Sequence, residues 1–185
     1  LSQNNIASNL DAVNQLLRLR SSDVLLGVLP FFHSFGYTVT LWASQSLSLA
    51  GVFHYSPLDA RQIGKLASEY RATILLGTPT FLRNYLRRVE PDQFRSLEMV
   101  IVGAEKLPAS LSDAFEKQFG IRPIEGYGTT ELSPLVSVNL PPNRTKATDP
   151  TRGLREGSVG RPLPEVEARV VGLEGGLPLA IGETG

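Results

Sequence analysis

Glu125-Gly126-Tyr127-Gly128-Thr129-Thr130-Glu131 packs two glycines, an aromatic ring, two threonine hydroxyls and two carboxylates into one short stretch. That set suits a nucleotide: a ring face for the base, hydroxyl donors for phosphate, and an oxygen ligand for a divalent metal. Glycines on either side of Tyr127 let the backbone approach a ligand closely. The apolar run Ile121 to Ile124 precedes the stretch and reads as a strand end, so the motif itself is expected to be a tight turn. His33-Ser34 is a second chemical pair, but no Gly-x-Ser-x-Gly elbow accompanies it, so a hydrolase is set aside. His54 stands in no motif and reads as structural. Asn143-Arg144-Thr145 fits a glycosylation sequon by pattern only.

The elements that must hold these residues alternate in type. Ile6, Leu10, Val13 and Leu17 recur at helical spacing, so roughly the first twenty residues form an amphipathic helix. Val24 to Leu29 reads as a buried strand closed by Pro30, and a helix follows from about Ser34 to Leu49. Gly51 to Tyr55 is a short strand. Ser56 is read as an N-cap with Pro57 in the first turn, and Ile63, Leu66, Ala67 and Tyr70 form that helix's inner face. Ala72 to Gly77 is the next strand. Thr78-Pro79 repeats the cap-and-proline start of a helix with Phe81, Leu82, Tyr85, Leu86 and Val89 inward and Arg83, Arg87 and Arg88 outward. Leu97 to Val102 is a strand. Pro108 opens a helix with Leu111, Ala114, Phe115 and Phe119 inward, and Gly120 stops it.

Single buried strands separated by helices imply βαβ units, hence an α/β fold with a parallel sheet. In such sheets ligands bind at the carboxyl ends of strands. Pro30 to Gly36, Gly77 to Pro79, Gly103 to Glu105 and Gly126 to Glu131 all fall at predicted strand ends, so they are expected along one edge. After Glu131 the texture changes. Leu135 to Asn139 is strand-like, Pro141 to Glu156 is a polar loop, and Gly157 to Gly160 and Val166 to Val171 read as short strands. The expected division is therefore an α/β part at 1–140, a loop at 141–156, and the start of a small antiparallel β region at 157–185.

Composition narrows the function classes. The 185 residues are 42% apolar and 19% charged, as in a globular protein with a real core. Eighteen basic residues balance eighteen acidic ones, which offers no electrostatic grip on nucleic acid or an anionic membrane. There is no cysteine, which removes disulfides, thiolate metal sites and a cysteine nucleophile. The longest apolar stretch, Val24 to Phe32, is too short to span a bilayer.

Gly126-Tyr127-Gly128-Thr129-Thr130-Glu131 resembles the nucleotide motif of the adenylate-forming superfamily, which includes acyl-CoA synthetases, luciferases and peptide-synthetase adenylation domains. Three further segments resemble that family in the expected order. Pro30-Phe31-Phe32-His33-Ser34-Phe35-Gly36 looks like its Pro-x-x-His-x-x-Gly segment. Val102-Gly103-Ala104-Glu105-Lys106-Leu107 looks like its Gly-Gly/Ala-Glu loop, and Gly157-Ser158-Val159-Gly160-Arg161-Pro162 looks like its Gly-x-x-Gly-x-Pro stretch. Leu1-Ser2-Gln3-Asn4-Asn5-Ile6 is similar to the segment just after the family's phosphate loop. The resemblance therefore implies a middle portion of the large N-terminal domain, without the phosphate loop, the ribose-binding acid or the catalytic lysine, and inactive when isolated.

The resemblance also implies roles. Tyr127 stacks on adenine between Gly126 and Gly128. Thr129 belongs to the same nucleotide loop, Thr130 donates to the α-phosphate, and Glu131 holds Mg²⁺. Gly103, Ala104 and Glu105 border adenine and the inner end of the acyl pocket, and His33 sits between that pocket and the thiol channel. The implied chemistry is attack of a carboxylate on the α-phosphorus of ATP, followed by transfer to coenzyme A or acyl carrier protein. The wording of 29–42 and 126–140 most resembles fatty acyl-CoA and acyl-carrier-protein synthetases. It is close to the synthetase part of bifunctional 2-acylglycerophosphoethanolamine acyltransferase/acyl-carrier-protein synthetases. That context implies a cytoplasmic protein, or one at the cytoplasmic face of the inner membrane when fused to the acyltransferase. Phe31, Phe32, Phe35 and Gly36 beside the acyl pocket favour an apolar acid over an amino acid. An amino- or aryl-acid adenylation domain and a non-catalytic nucleotide-binding module are the alternatives.

Overall fold

The computed structural model describes residues 1–145 and 153–184. The order of elements is α1 (Gln3–Leu17), β1 (Val24–Gly27), α2 (Ser34–Gly36), a π-helical segment Tyr37–Trp42, α3 (Ala43–Ser46), β2 (Ala50–Phe53), α4 (Ala60–Glu69), β3 (Ile74–Gly77), α5 (Pro79–Arg88), β4 (Met99–Val102), α6 (Ala109–Phe119), β5 (Ile124–Gly128), β6 (Leu135–Val138) and β7 (Arg161–Pro162). The strands form one sheet in the order β2-β1-β3-β4-β5-β6-β7. The first five are parallel, and β6 and β7 extend the sheet antiparallel.

Successive residues of a strand point to opposite faces, and both faces of this sheet are covered, so β1, β3 and β4 read as unbroken apolar runs. Leu25, Ile74, Leu76, Met99 and Ile101 pack on one face against α1 and the helical stretch after His33. Leu26, Leu75, Val100 and Val102 pack on the other against α4, α5 and α6. Local chemistry sets the helix starts. Ser2 caps α1 in a reciprocal pair with Asn5, a pairing not among the sequence expectations; Thr78 caps α5 ahead of Pro79, as the sequence predicts. Gly120, at φ 74°, ends α6.

Several expectations are corrected. Asp59, not Ser56, caps α4: its carboxylate accepts from the Gln62 N–H, and Ser56-Pro57 lies in the turn before it. Tyr70 and Ala114 are exposed; buried Ala60 and Gly64 on α4 and Ser112 on α6 join the inner faces instead. The helix after His33 ends at Ser46 and passes through a π-helical turn. Neither Gly157–Gly160 nor Val166–Val171 is a strand; the chain pairs at Arg161–Pro162 and makes one bridge between Val171 and Pro178. Part of the 141–156 loop, residues 146–152, lies outside the described residues. No helix among the described residues is long and apolar enough to cross a membrane.

Candidate functional site

The expected turn at Glu125 to Glu131 is a strand followed by a turn. Ile124–Gly128 is β5, paired on one side with β4 and on the other with β6, and Thr130–Leu132 is one 3₁₀ turn. Gly128 has no alternative: a Cβ there would collide with the Pro134 carbonyl on the returning chain. The glycine therefore lets β6 fold back tightly enough to present Thr129 and Thr130 at the sheet edge. Gly36 has the same kind of constraint against the Pro30 carbonyl. The Pro-x-x-His-x-x-Gly spacing is thus a loop closing on itself at the end of β1. His33 caps the helix that follows, its ring Nδ1 accepting from the Phe35 N–H at 3.2 Å. That bond places the lone pair on Nδ1 and leaves Nε2 to carry the proton of the neutral ring.

Three strand ends meet in a pocket of about 160 Å³. His33, Ser34 and Phe35 come from beyond β1, Gly103 and Ala104 from beyond β4, and Gly126, Gly128, Thr129 and Thr130 from β5 and its turn. Ser34 Oγ and Thr130 Oγ1 share a hydrogen bond at 3.0 Å, joining the first and third of these segments. A second groove of about 350 Å³ lies on the other side of the same wall. Ala104, Gly126 and Gly128 line both cavities, and the groove adds Glu105, Lys106, Glu125, Tyr127 and Gly157 to Val159. Tyr127 is 48% exposed, so its ring is free to cover a flat ligand.

The supports of the groove are hydrogen bonds the sequence does not announce. Glu125 accepts from the Leu107 N–H at 2.9 Å, tying the Gly103 loop to β5. Thr80 donates to Glu105 at 2.9 Å. Buried Asn139 donates to the Ser158 carbonyl at 2.6 Å and accepts from the Arg155 N–H at 2.9 Å, which sets Gly157 to Val159 against the groove. Ala104 has φ 66°, a left-handed conformation that disfavours side chains, so the turn that presents it is strained.

The sequence-predicted residues therefore separate. His33, Gly103, Ala104, Gly126, Gly128, Thr129 and Thr130 share the pocket; Glu105 and Tyr127 lie in the groove with Ala104, Gly126 and Gly128. Gly77 to Pro79 ends β3 on the same edge but lines neither cavity; only Thr80, through Glu105, reaches the site. Glu131 also lines neither cavity. It is exposed beside Thr130, without a hydrogen bond or ion pair among the described residues. A free carboxylate next to a hydroxyl fits Mg²⁺, which takes one or two protein carboxylates and completes its shell with water and phosphate oxygens. The described residues contain no cluster of three or more His, Cys, Asp or Glu for a fully protein-bound metal. His54 lies away from both cavities, its Nε2 3.4 Å from Asp59 Oδ2.

Comparison with known proteins identifies the family and the fold. The model of the AMP-binding enzyme family matches residues 1–185. A medium-chain-fatty-acid–CoA ligase of Ectopseudomonas oleovorans is 31% identical over 171 residues, 89% of this chain and 30% of the relative. A long-chain-fatty-acid–CoA ligase of Bacillus subtilis (strain 168) is 28% identical over 159 residues, 84% of this chain and 26% of the relative. The ATP-bound crystal structure of MatB from Rhodopseudomonas palustris superposes with a TM-score of 0.85 at 30% identity, covering 99% of this chain and 34% of that one. Other relatives are a p-hydroxybenzoic acid–AMP ligase and a 3-methylmercaptopropionyl-CoA ligase. The chain spans about a quarter to a third of the length of the proteins it matches. This chain belongs to the AMP-binding enzyme family, the adenylate-forming enzymes.

Proposed function

We propose that the chain forms the acid-binding and adenine-binding walls of an ATP-dependent acid–thiol ligase. One observation carries this reading: two cavities share the wall Ala104, Gly126 and Gly128. An acid in the pocket and a nucleotide in the groove would meet across it, with Thr130 on the pocket side. In the groove Tyr127 covers adenine, and the Gly103 to Glu105 loop borders its edge. Thr130 donates its hydroxyl to an α-phosphate oxygen, and the acid's carboxylate attacks the phosphorus while pyrophosphate leaves. Glu131 would hold Mg²⁺, which would supply charge neutralisation on the phosphates. His33 orients the carboxylate from the pocket side. The protein does little covalent work in this step; alignment and charge stabilisation lower the barrier. The acyl group then passes to a thiol. Coenzyme A is the acceptor we favour over acyl carrier protein, because relatives at 28–31% identity are named as CoA ligases.

The acid is apolar in this reading. Phe35, Pro134 and Leu135 line the pocket, and no carboxylate stands there to meet a substrate amine. Fatty acids and aryl acids both satisfy that chemistry. ATP–pyrophosphate exchange by the full-length protein, with a panel of fatty, aryl and amino acids, tests the proposal. Exchange with the apolar acids and none with amino acids is expected. Exchange only with amino acids, or with no acid, overturns it, the latter in favour of a non-catalytic nucleotide-binding module.

A further inference from the structure

The segment Gly157-Ser158-Val159-Gly160 is no strand, yet its first three residues line the groove beside Tyr127. Gly160, at φ 80°, crosses β6 so closely that a Cβ there would lie 2.2 Å from the Val138 carbonyl carbon and 2.3 Å from the Asn139 nitrogen. The Gly160 N–H donates to Ser158 Oγ at 3.3 Å, and that hydroxyl donates to the Arg155 carbonyl at 2.9 Å, so 155–160 closes into a turn. The side chain of Asn139, 2% exposed, holds the turn from inside through the Arg155 N–H and the Ser158 carbonyl. An ion pair reaches the same turn, Arg122 to Glu156 at 2.9 Å, but the Glu156 side chain is 64% exposed, and such pairs contribute little.

The other loop lining the groove, Ala104 to Lys106, is held by Glu125 through the Leu107 N–H. Glu125 and Asn139 are neighbours across two strands. The register of β5 with β6, Gly126 beside Val138, sets Glu125 opposite Asn139, and the Asn139 N–H donates to the Glu125 carbonyl at 2.9 Å. Residues directly opposed in an antiparallel pair share a face of the sheet. Both side chains accordingly line one cavity of about 310 Å³, which shares Lys106, Glu125 and Gly157 with the groove. One cross-strand pair therefore carries the fastenings of two loops that come from opposite ends of the motif series.

We infer that Glu125 and Asn139 work as a single clamp that sets the spacing of these two loops, and through it the affinity for nucleotide. This rests on the nucleotide reading of the groove given above. Both are positioning residues, since each acts through the backbone of another segment. Releasing either loop takes contacts from one side of the nucleotide. The acid pocket, which neither residue lines, keeps its shape.

The test is calorimetric ATP binding by the full-length protein, alongside ATP–pyrophosphate exchange with its preferred apolar acid. Asn139→Ala is expected to raise Kd and KM for ATP about tenfold and to leave KM for the acid unchanged. Glu125→Ala does the same, whereas Glu125→Gln, whose amide oxygen still accepts from the Leu107 N–H, stays within about twofold of the original Kd. The double alanine variant weakens binding about thirtyfold or less, against about a hundredfold for independent losses. Glu156→Gln changes Kd less than about twofold, because its ion pair is exposed. Asn139→Asp keeps the acceptor for Arg155 and loses the donor to Ser158; it gives a smaller rise in Kd and serves if Asn139→Ala fails to fold. A folded Asn139→Ala or Asn139→Asp protein with a lowered melting temperature and an unchanged Kd makes Asn139 purely structural and overturns the clamp. Independent losses in the double variant overturn it too, as does a Glu125→Gln protein as weak as Glu125→Ala. A Glu156→Gln loss equal to that of Asn139→Ala would move the fastening to Arg122 and overturn it as well. Absence of ATP binding by the unsubstituted protein overturns the nucleotide reading itself, and the clamp with it.

Discussion

At the amino edge of the sheet Arg144 is buried between Asp23 and Glu98, whereas at the carboxyl edge Thr130 and Glu131 face solvent. Arg144 donates to Asp23 through both terminal nitrogens, at 2.7 and 3.1 Å, to Glu98 at 3.1 Å and to the Arg18 carbonyl at 2.7 Å. Thr73 and the Arg20 N–H add two more donors to Asp23. These groups precede β1, β3 and β4, so the cluster fastens the segment after β6 across the start of three strands. Burial by itself would raise the Asp23 pKa, but the hydrogen bonds and charge of Arg144, with the Arg20 N–H, outweigh it and hold the carboxyl below its usual range. At the opposite edge Ser34–Thr130 is an exposed hydroxyl pair and Glu131 has no partner among the described residues. Paired charge holds the native state at one edge, where Arg144 Nε alone of that guanidinium lacks a partner among the described residues, and unpaired oxygen faces solvent at the other.

Substitution can break that contrast from either side. Arg144→Met in the full-length protein leaves Asp23 buried and unpaired, and is expected to lower stability by about 3–5 kcal/mol. Denaturant unfolding measures this, and a loss under about 1 kcal/mol would show that the cluster is not a fastening. The pH dependence has a defined sign. Because the folded pKa of Asp23 is depressed, its contribution is complete above the ordinary aspartate range and is lost as pH falls through the folded value. Arg144→Met should flatten that acid limb. Glu131→Gln should do the reverse: adenylate formation falls by roughly 10²–10³-fold while the melting temperature is unchanged. Adenylation at the original rate would remove Glu131 from the mechanism.

The same contrast explains what was legible in the sequence. The apolar runs of β1, β3 and β4 and the caps at Thr78 and Gly120 are local signals, and they predict the parallel α/β sheet well. The residues proposed to face a ligand fall in short motifs at strand ends, and His33, Gly103 and Thr130 line one pocket. Supports come from distant chain positions and carry no motif. Asn9 reaches Leu135, Asn139 reaches Ser158, and Arg144, read as part of a polar loop, is fully buried. The strand at Ile124–Gly128 reads as a turn in the sequence because two of its five residues are glycine. Its pairing with β6 depends on Gly128 meeting Pro134, a contact no local pattern encodes.

Ser34 separates support from site at the finest scale, since its hydroxyl does both. Its bond to Thr130 is exposed, so its net worth is about 0.5–1.5 kcal/mol, and Ser34→Ala should lower kcat/KM for ATP by about tenfold or less. We assign Ser34 as a positioning residue that aims the Thr130 hydroxyl, which predicts a coupling. Thr130→Ala alone should cost more than Ser34→Ala, and the double substitution should cost no more than Thr130→Ala. Stability should not move in any of the three, because neither hydroxyl is buried. If Ser34→Ala and Thr130→Ala add independently, Ser34 acts on the ligand itself and belongs with the contact residues. If Ser34→Ala instead shifts the melting temperature and leaves kcat/KM alone, the hydroxyl pair is a fastening like Arg144, and the carboxyl edge is less open than its geometry implies.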